Sequence, residues 1–91
     1  MAETGLRQMT VTLEAGTVTD IVYPRYTAVD IMNGTEGVLY VNDTGEFDNG
    51  EYFSIPAGGG YNGYRPAMDG SATVYLKAAV AGEVSLVMTR Y

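Results

Sequence analysis

The sequence has 91 residues and contains no cysteine, no histidine and no tryptophan. Without cysteine there are no disulfides, no thiol chemistry and no cysteine-type zinc site. Without histidine the commonest general base and transition-metal ligand are missing, and no Ser-His-Asp triad can form. Basic residues are scarce and scattered: Arg7, Arg25, Arg65, Lys77 and Arg90 stand against eleven acids, for a net charge of −6. Nucleic-acid binding needs a basic patch to neutralise phosphates, and an anionic membrane would repel such a chain. No apolar run approaches the ~20 residues of a membrane span. The opening "MAETGLRQ" has no apolar core of the kind a secretory signal carries. The expectation is a soluble, non-enzymatic chain made in the cytoplasm, with no cofactor and with neither nucleic acid nor membrane as partner.

What is abundant is strand chemistry. "MTVTLEAG" alternates Met9, Val11 and Leu13 with Thr10, Thr12 and Glu14, the two-residue period of a half-buried strand. "TVTDIVYP", "YTAVDIMN", "GVLYVND", "EYFSIP", "ATVYLKA" and "EVSLVMTRY" follow, rich in the Val, Ile, Thr and Tyr that suit a pleated surface. "YNGYR" is a weaker eighth stretch. Glycines after Ala15, Asn33, Glu36, Thr44, Asn49, Asp69 and Ala81 punctuate them as turns. The alanines of "YLKAAVAGE" favour helix, but that helix would be too short to stand alone. The segment reads as a strand ending near Ala79, a turn at Ala81-Gly82 and a final strand, together a hairpin. Short strands every 8–12 residues or so describe a sandwich or small barrel. The fold expected is all-β: a single small β-sandwich, jelly-roll-like, of seven to eight short antiparallel strands over residues 9–91. Residues 1–8 read as a flexible arm.

Gly58, Gly60 and Gly63 in "PAGGGYNGYRPAMDG" spell GxGxxG, the dinucleotide-binding pattern. That pattern works only where the third glycine opens a helix whose N-terminus holds pyrophosphate inside a βαβ unit. Here Pro66 and Gly70 break any helix, and the next element is a strand. The nucleotide reading therefore fails. A plain turn after "EYFSIP" is the commoner role for such a segment. A sharper one is an adaptable protein-interface loop, since Tyr61, Asn62, Tyr64 and Arg65 crowd five positions and Tyr and Arg are enriched at hot spots. "YPRY" offers a second aromatic–arginine contact through Tyr23, Arg25 and Tyr26, although Pro24 alone explains a corner there.

The acidic stretch holding Asp43, Glu46, Asp48, Asn49 and Glu51 offers hard oxygen ligands suited to calcium. Its spacing departs from the EF-hand order, and a solvated acidic loop is the commoner outcome. Among the acids only Asp30 lies within an apolar run, and alternation points it away from Val29 and Ile31. No paired carboxylates in a cleft are indicated, and Ser or Thr nucleophiles lack a base.

The succession "TVTLEAGTVTDI", a strand ending at Asn33-Gly34, "VLYV", "FSIPAGG", "ATVYLKA" and a final strand after "AGEV" resembles the small β-sandwich virion proteins of tailed bacteriophages. These are capsid decoration (cement) proteins and head-fibre or tail-associated domains. The resemblance spans roughly residues 8–91 and rests on a pattern of strands and turns rather than on a signature motif. It implies a structural role on the outside of an assembled head, with the major capsid protein as partner. It also implies homo-oligomers, often trimers, and no catalytic residues. The location implied is the virion. The other reading of the same composition is a carbohydrate- or receptor-binding β-sandwich of a tail or fibre, in which exposed tyrosines stack on sugar rings.

Overall fold

The computed structural model describes residues 6–22, 27–48, 52–64 and 73–90. Eight strands form, and the described residues contain no helix: β1 Leu6–Leu13, β2 Val18–Val22, β3 Thr27–Asn33, β4 Leu39–Asn42, β5 Phe53–Ile55, β6 Gly60–Tyr64, β7 Thr73–Ala78 and β8 Gly82–Arg90. They build two four-stranded sheets, ordered β1-β8-β3-β6 and β2-β7-β4-β5. Every pairing within them is antiparallel.

The two-residue period decides which side chains go inside. In β7, Val74, Leu76 and Ala78 are buried while Thr73, Tyr75 and Lys77 point to the other face. Register then aligns such positions into rows. One inner row of the first sheet runs Met9, Leu86, Ile31, Tyr61. One inner row of the second runs Thr19, Leu76, Val41, Phe53. The central members, Leu86, Ile31, Leu76 and Val41, are wholly buried, whereas the edge members Met9 and Tyr61 remain 37% and 44% exposed. Thirteen buried apolar residues form one continuous core between the sheets.

Sheet membership follows chain order in a regular way. Only β4 and β5 are consecutive within one sheet, and every other successive pair of strands lies in opposite sheets. That winding is the jelly-roll form of the β-sandwich. It corrects the expected terminal hairpin. β7 and β8 do not pair: β7 sits between β2 and β4, and β8 between β1 and β3. The short link through Val80 and Ala81 carries the chain from one sheet to the other, with the Ala79 amide donating to Val38 O at 2.9 Å. The arm expected over residues 1–8 does not hold for the last three of them. Leu6, Arg7 and Gln8 already belong to β1, paired with Thr89, Met88 and Val87, because β8 is long enough to extend the ladder. Residues 1–5 lie outside the described residues.

Candidate functional site

Of the residues singled out for a protein interface, Tyr61, Asn62 and Tyr64 fall on β6, an edge strand and not a loop. Tyr23, Arg25, Tyr26 and Arg65 lie outside the described residues. The β3–β6 register shifts by one between Val29↔Tyr64 and Ile31↔Tyr61, so Asn62 and Gly63 together oppose Asp30. This is a β-bulge. Gly63 takes φ 75°, a left-handed value glycine adopts without penalty. Its amide donates to Asp30 Oδ1 at 2.8 Å, so the one acid in the apolar run serves as the bulge's acceptor.

The extra residue has a packing consequence. Residues three apart on a regular strand face opposite sides. The bulge instead turns Tyr61 and Tyr64 to the same inner side as Ile31 and Val29. There they close the sandwich against Phe53 of β5. Ring centroids lie at 4.6 Å for Phe53–Tyr61, 5.5 Å for Phe53–Tyr64 and 6.2 Å for Tyr61–Tyr64. Tyr64 packs against the core, while Tyr61 stays partly open to solvent.

The three glycines of GxGxxG thus have separate structural jobs. Gly58, at φ 76°, is the third residue of a Pro56–Gly59 turn closed by the Gly59 amide on Pro56 O at 2.8 Å. Gly60 admits Met32, whose sulfur would lie 2.7 Å from a β-carbon placed there. Gly63 makes the bulge. No helix follows Gly60–Tyr64 within the described residues.

That turn is docked onto Asn33, the last residue of β3. Asn33 is only 2% exposed although its side chain is polar. Its amide Nδ2 donates to Ile55 O and Gly37 O, both at 2.9 Å, with Pro56 O at 3.1 Å sharing a proton. Its Oδ1 accepts from the Thr35 amide at 3.0 Å and the Thr35 hydroxyl at 2.7 Å. Its backbone exchanges bonds with Gly58 and Gly59 at 3.0 and 2.9 Å. One side chain therefore joins the β3–β4 crossover to the β5–β6 turn.

The acidic loop is organised in a similar way. Asn42 Nδ2 donates to Glu46 O at 2.8 Å, and its Oδ1 accepts from the Gly45 amide at 2.9 Å. Among the described residues no three acids gather as a metal site would require. Asn49 and Glu51 lie outside them.

The folded loop delivers Phe47 to a place the sequence did not advertise. On the outer face of the second sheet, Tyr40 of β4 stands directly across from Lys77 of β7 on one side and Ser54 of β5 on the other. Tyr40, Phe47, Tyr52 and Lys77 line a concavity of about 230 Å³. Tyr40 and Tyr52 meet edge-to-face at 5.1 Å and 78°, and Phe47 lies 6.0 Å from Tyr52. Lys77 Nζ sits 5.8 Å from the Phe47 ring centre, within cation–π range. Tyr40 and Lys77 each fall on the outward phase of a legible strand. Their meeting depends on β4 pairing β7, which local patterning does not report.

No protein-family model matches the chain, and no curated protein matches it. Among solved structures it is similar to a de novo designed double-stranded β-helix determined by solution NMR. The TM-score is 0.63 at 14% identity, over 91% of this chain and 96% of that one. The likeness concerns the fold: an eight-stranded, antiparallel jelly roll.

Proposed function

We propose that this jelly roll is a structural, non-enzymatic protein of a bacteriophage virion, in its most specific form a decoration protein that binds the assembled head through the major capsid protein. The observation that carries the reading is β6. It is the edge strand of its sheet among the described residues, with four of its five residues exposed, Tyr61 and Asn62 among them, and the exposed Met32 lies beside it. Edge strands invite association with another chain, and tyrosine is a frequent interface anchor. The resemblance of the strand pattern to decoration proteins is what selects the partner. A net charge of −6 would keep the protein off packaged DNA. Attachment to the assembled lattice alone would stabilise it by mass action, and assembly as a trimer would add multivalency.

The test is co-sedimentation with expanded and unexpanded capsids of the encoding virus. Saturable binding to expanded shells, at a fixed ratio to coat protein, is the expected result. Tyr61→Ala with Asn62→Ala should weaken attachment about tenfold while leaving the fold intact. Tyr64 is unsuitable for this purpose because it packs against the core. Wild-type attachment in the double variant would remove β6 from the interface, and no binding to either shell would remove the decoration role.

A second reading, a carbohydrate- or receptor-binding module of a tail or fibre, is favoured by the aromatic concavity of Tyr40, Phe47 and Tyr52.

A further inference from the structure

We propose that the outer face of the β2-β7-β4-β5 sheet holds a binding site for one neutral pyranose ring, walled by Tyr40, Phe47 and Tyr52, with Lys77 as hydrogen-bond donor. The inference rests on the carbohydrate-binding reading and gives it a place and a ligand class.

The ring geometry comes first. None of the three aromatic side chains stacks parallel on another: the interplanar angles are 78° and 39°. Lys77 covers one face of Phe47 and Tyr40 meets Tyr52 edge to face, but no two rings cover each other face to face, so apolar ring surface remains for the concavity. A pyranose offers a matching face of C–H groups, with hydroxyls around its rim. The concavity has polar groups for such a rim in the hydroxyls of Tyr40 and Tyr52 and the Lys77 ammonium, and Ser54 is exposed beside Tyr40 on β5, outside the lining. Apolar walls with a few convergent polar groups are what small-molecule sites generally show.

Size and charge narrow the class. At about 230 Å³ the space falls below the ~300–1,000 Å³ of drug-sized pockets, which suits a single ring. Among the described side chains Lys77 is the sole cation. Asp43, Glu46 and Asp48 ride on the loop that carries Phe47, and Asp20 projects from the same sheet face across from Tyr75. That surround disfavours an anionic sugar. A cationic ligand would compete with Lys77, which already lies over the Phe47 ring.

The site is also pre-formed. Tyr40 and Lys77 stand on paired central strands. The turn leading to Phe47 is held by both ends of the Asn42 amide. Little ordering is left for a ligand to impose, and that lowers the cost of binding.

The experiment is a nuclear magnetic resonance titration of the ¹⁵N-labelled full chain with glucose, galactose and N-acetylglucosamine, and with glucuronate as the charged counterpart. One ring should bind with a Kd on the order of 1–10 mM, so each probe is taken well past that range. The expected result is saturable shifts centred on Tyr40, Phe47, Tyr52 and Lys77 with at least one neutral sugar, and weaker shifts with glucuronate. Tyr52→Ala, at an exposed position, should weaken binding at least about fivefold. Glu83→Gln, on the outer face of the other sheet, should leave it unchanged. Saturable shifts that map elsewhere would overturn this site and leave the carbohydrate reading standing. No shifts with any sugar would overturn both. Tightest binding of glucuronate would overturn the neutral ligand class.

Discussion

Replacing Asn33 with alanine should cost this domain about half its stability. The side chain is almost wholly buried and holds two parts of the chain more than twenty residues apart. Asn33→Ala removes two amide protons and one acceptor oxygen at once. The Thr35 amide and the Ile55 carbonyl lose their side-chain partner in bonds that are buried. A buried group left unpaired costs about 1–3 kcal/mol, and a bond exchanged for water about 1 kcal/mol. Gly37 O and Pro56 O are only partly buried, so water can reach them and their loss belongs at the low end. With every group at the low end of its range the sum is about 4 kcal/mol, against roughly 5–13 kcal/mol for a whole domain of this size. Urea unfolding followed by far-ultraviolet circular dichroism would read it directly. With a slope near 1 kcal/mol per molar, the midpoint should fall by roughly 4 M. A loss below about 1 kcal/mol would refute the reasoning, since it would mean these groups find water freely once the amide is gone. Asn33→Asp sharpens the test. It keeps the acceptor for Thr35 but points a carboxylate at the carbonyls of Ile55 and Pro56. Burial and those carbonyls penalise the charged form, so its folded pKa would lie above the unfolded value. Stability is then present in acid and lost as pH rises through the folded pKa. A variant that gained stability on going from acid to neutral pH would contradict the geometry.

Gly63→Ala should destabilise by about 1–2 kcal/mol, because a side chain at φ 75° is strained. Asp30→Asn should cost less than about 1 kcal/mol, since its bond to Gly63 is exposed. Thermal melts of the two single variants and the double variant should show them to be non-additive, as both act on one bulge. Leu76→Ala, at a fully buried central position, should cost about 3–5 kcal/mol by leaving a cavity. Its spectrum should keep the outer-face ring resonances of Tyr40 and Tyr52, which would move if the two faces of the sheet were coupled.

Alternation made the core legible before any strand was paired. Met9, Val11 and Leu13 read as one face and Val29 and Ile31 as the side away from Asp30; Leu13, Val29 and Ile31 lie in the core, Val11 packs against it, and Met9 stays 37% exposed at the sheet edge. Turn chemistry placed the breaks between strands for the same local reason. Neither signal reports which strand lies beside which. The link after Ala78 shows why: a glycine-marked turn of that length suits a hairpin and a sheet-to-sheet crossing equally well. The choice between them was made by the β1 and β3 edges available to β8 and the β2 and β4 edges available to β7.

The tyrosines of β6 carry the same lesson to the candidate site. A regular strand would send Tyr61 and Tyr64 to opposite faces. They share one face because Gly63 and Asp30, 33 residues apart, meet to make a bulge. The concavity around Lys77 follows that logic too. Tyr40 and Lys77 come together only through the β4–β7 register, and Phe47 only through a turn held by Asn42. Local sequence specified each side chain's phase within its strand. Function here depends on which phases meet, and the jelly-roll winding decides that. Deletion of Asn62 removes the bulge and leaves Tyr61 and Tyr64 two residues apart, so both should stay on the inner face opposite Ile31 and Val29, without disturbing Tyr40. Retained Phe53–Tyr61 ring contact beside an unchanged Lys77 site would show that the bulge serves only to absorb the extra residue, and a Tyr61 ring that left Phe53 would contradict the register.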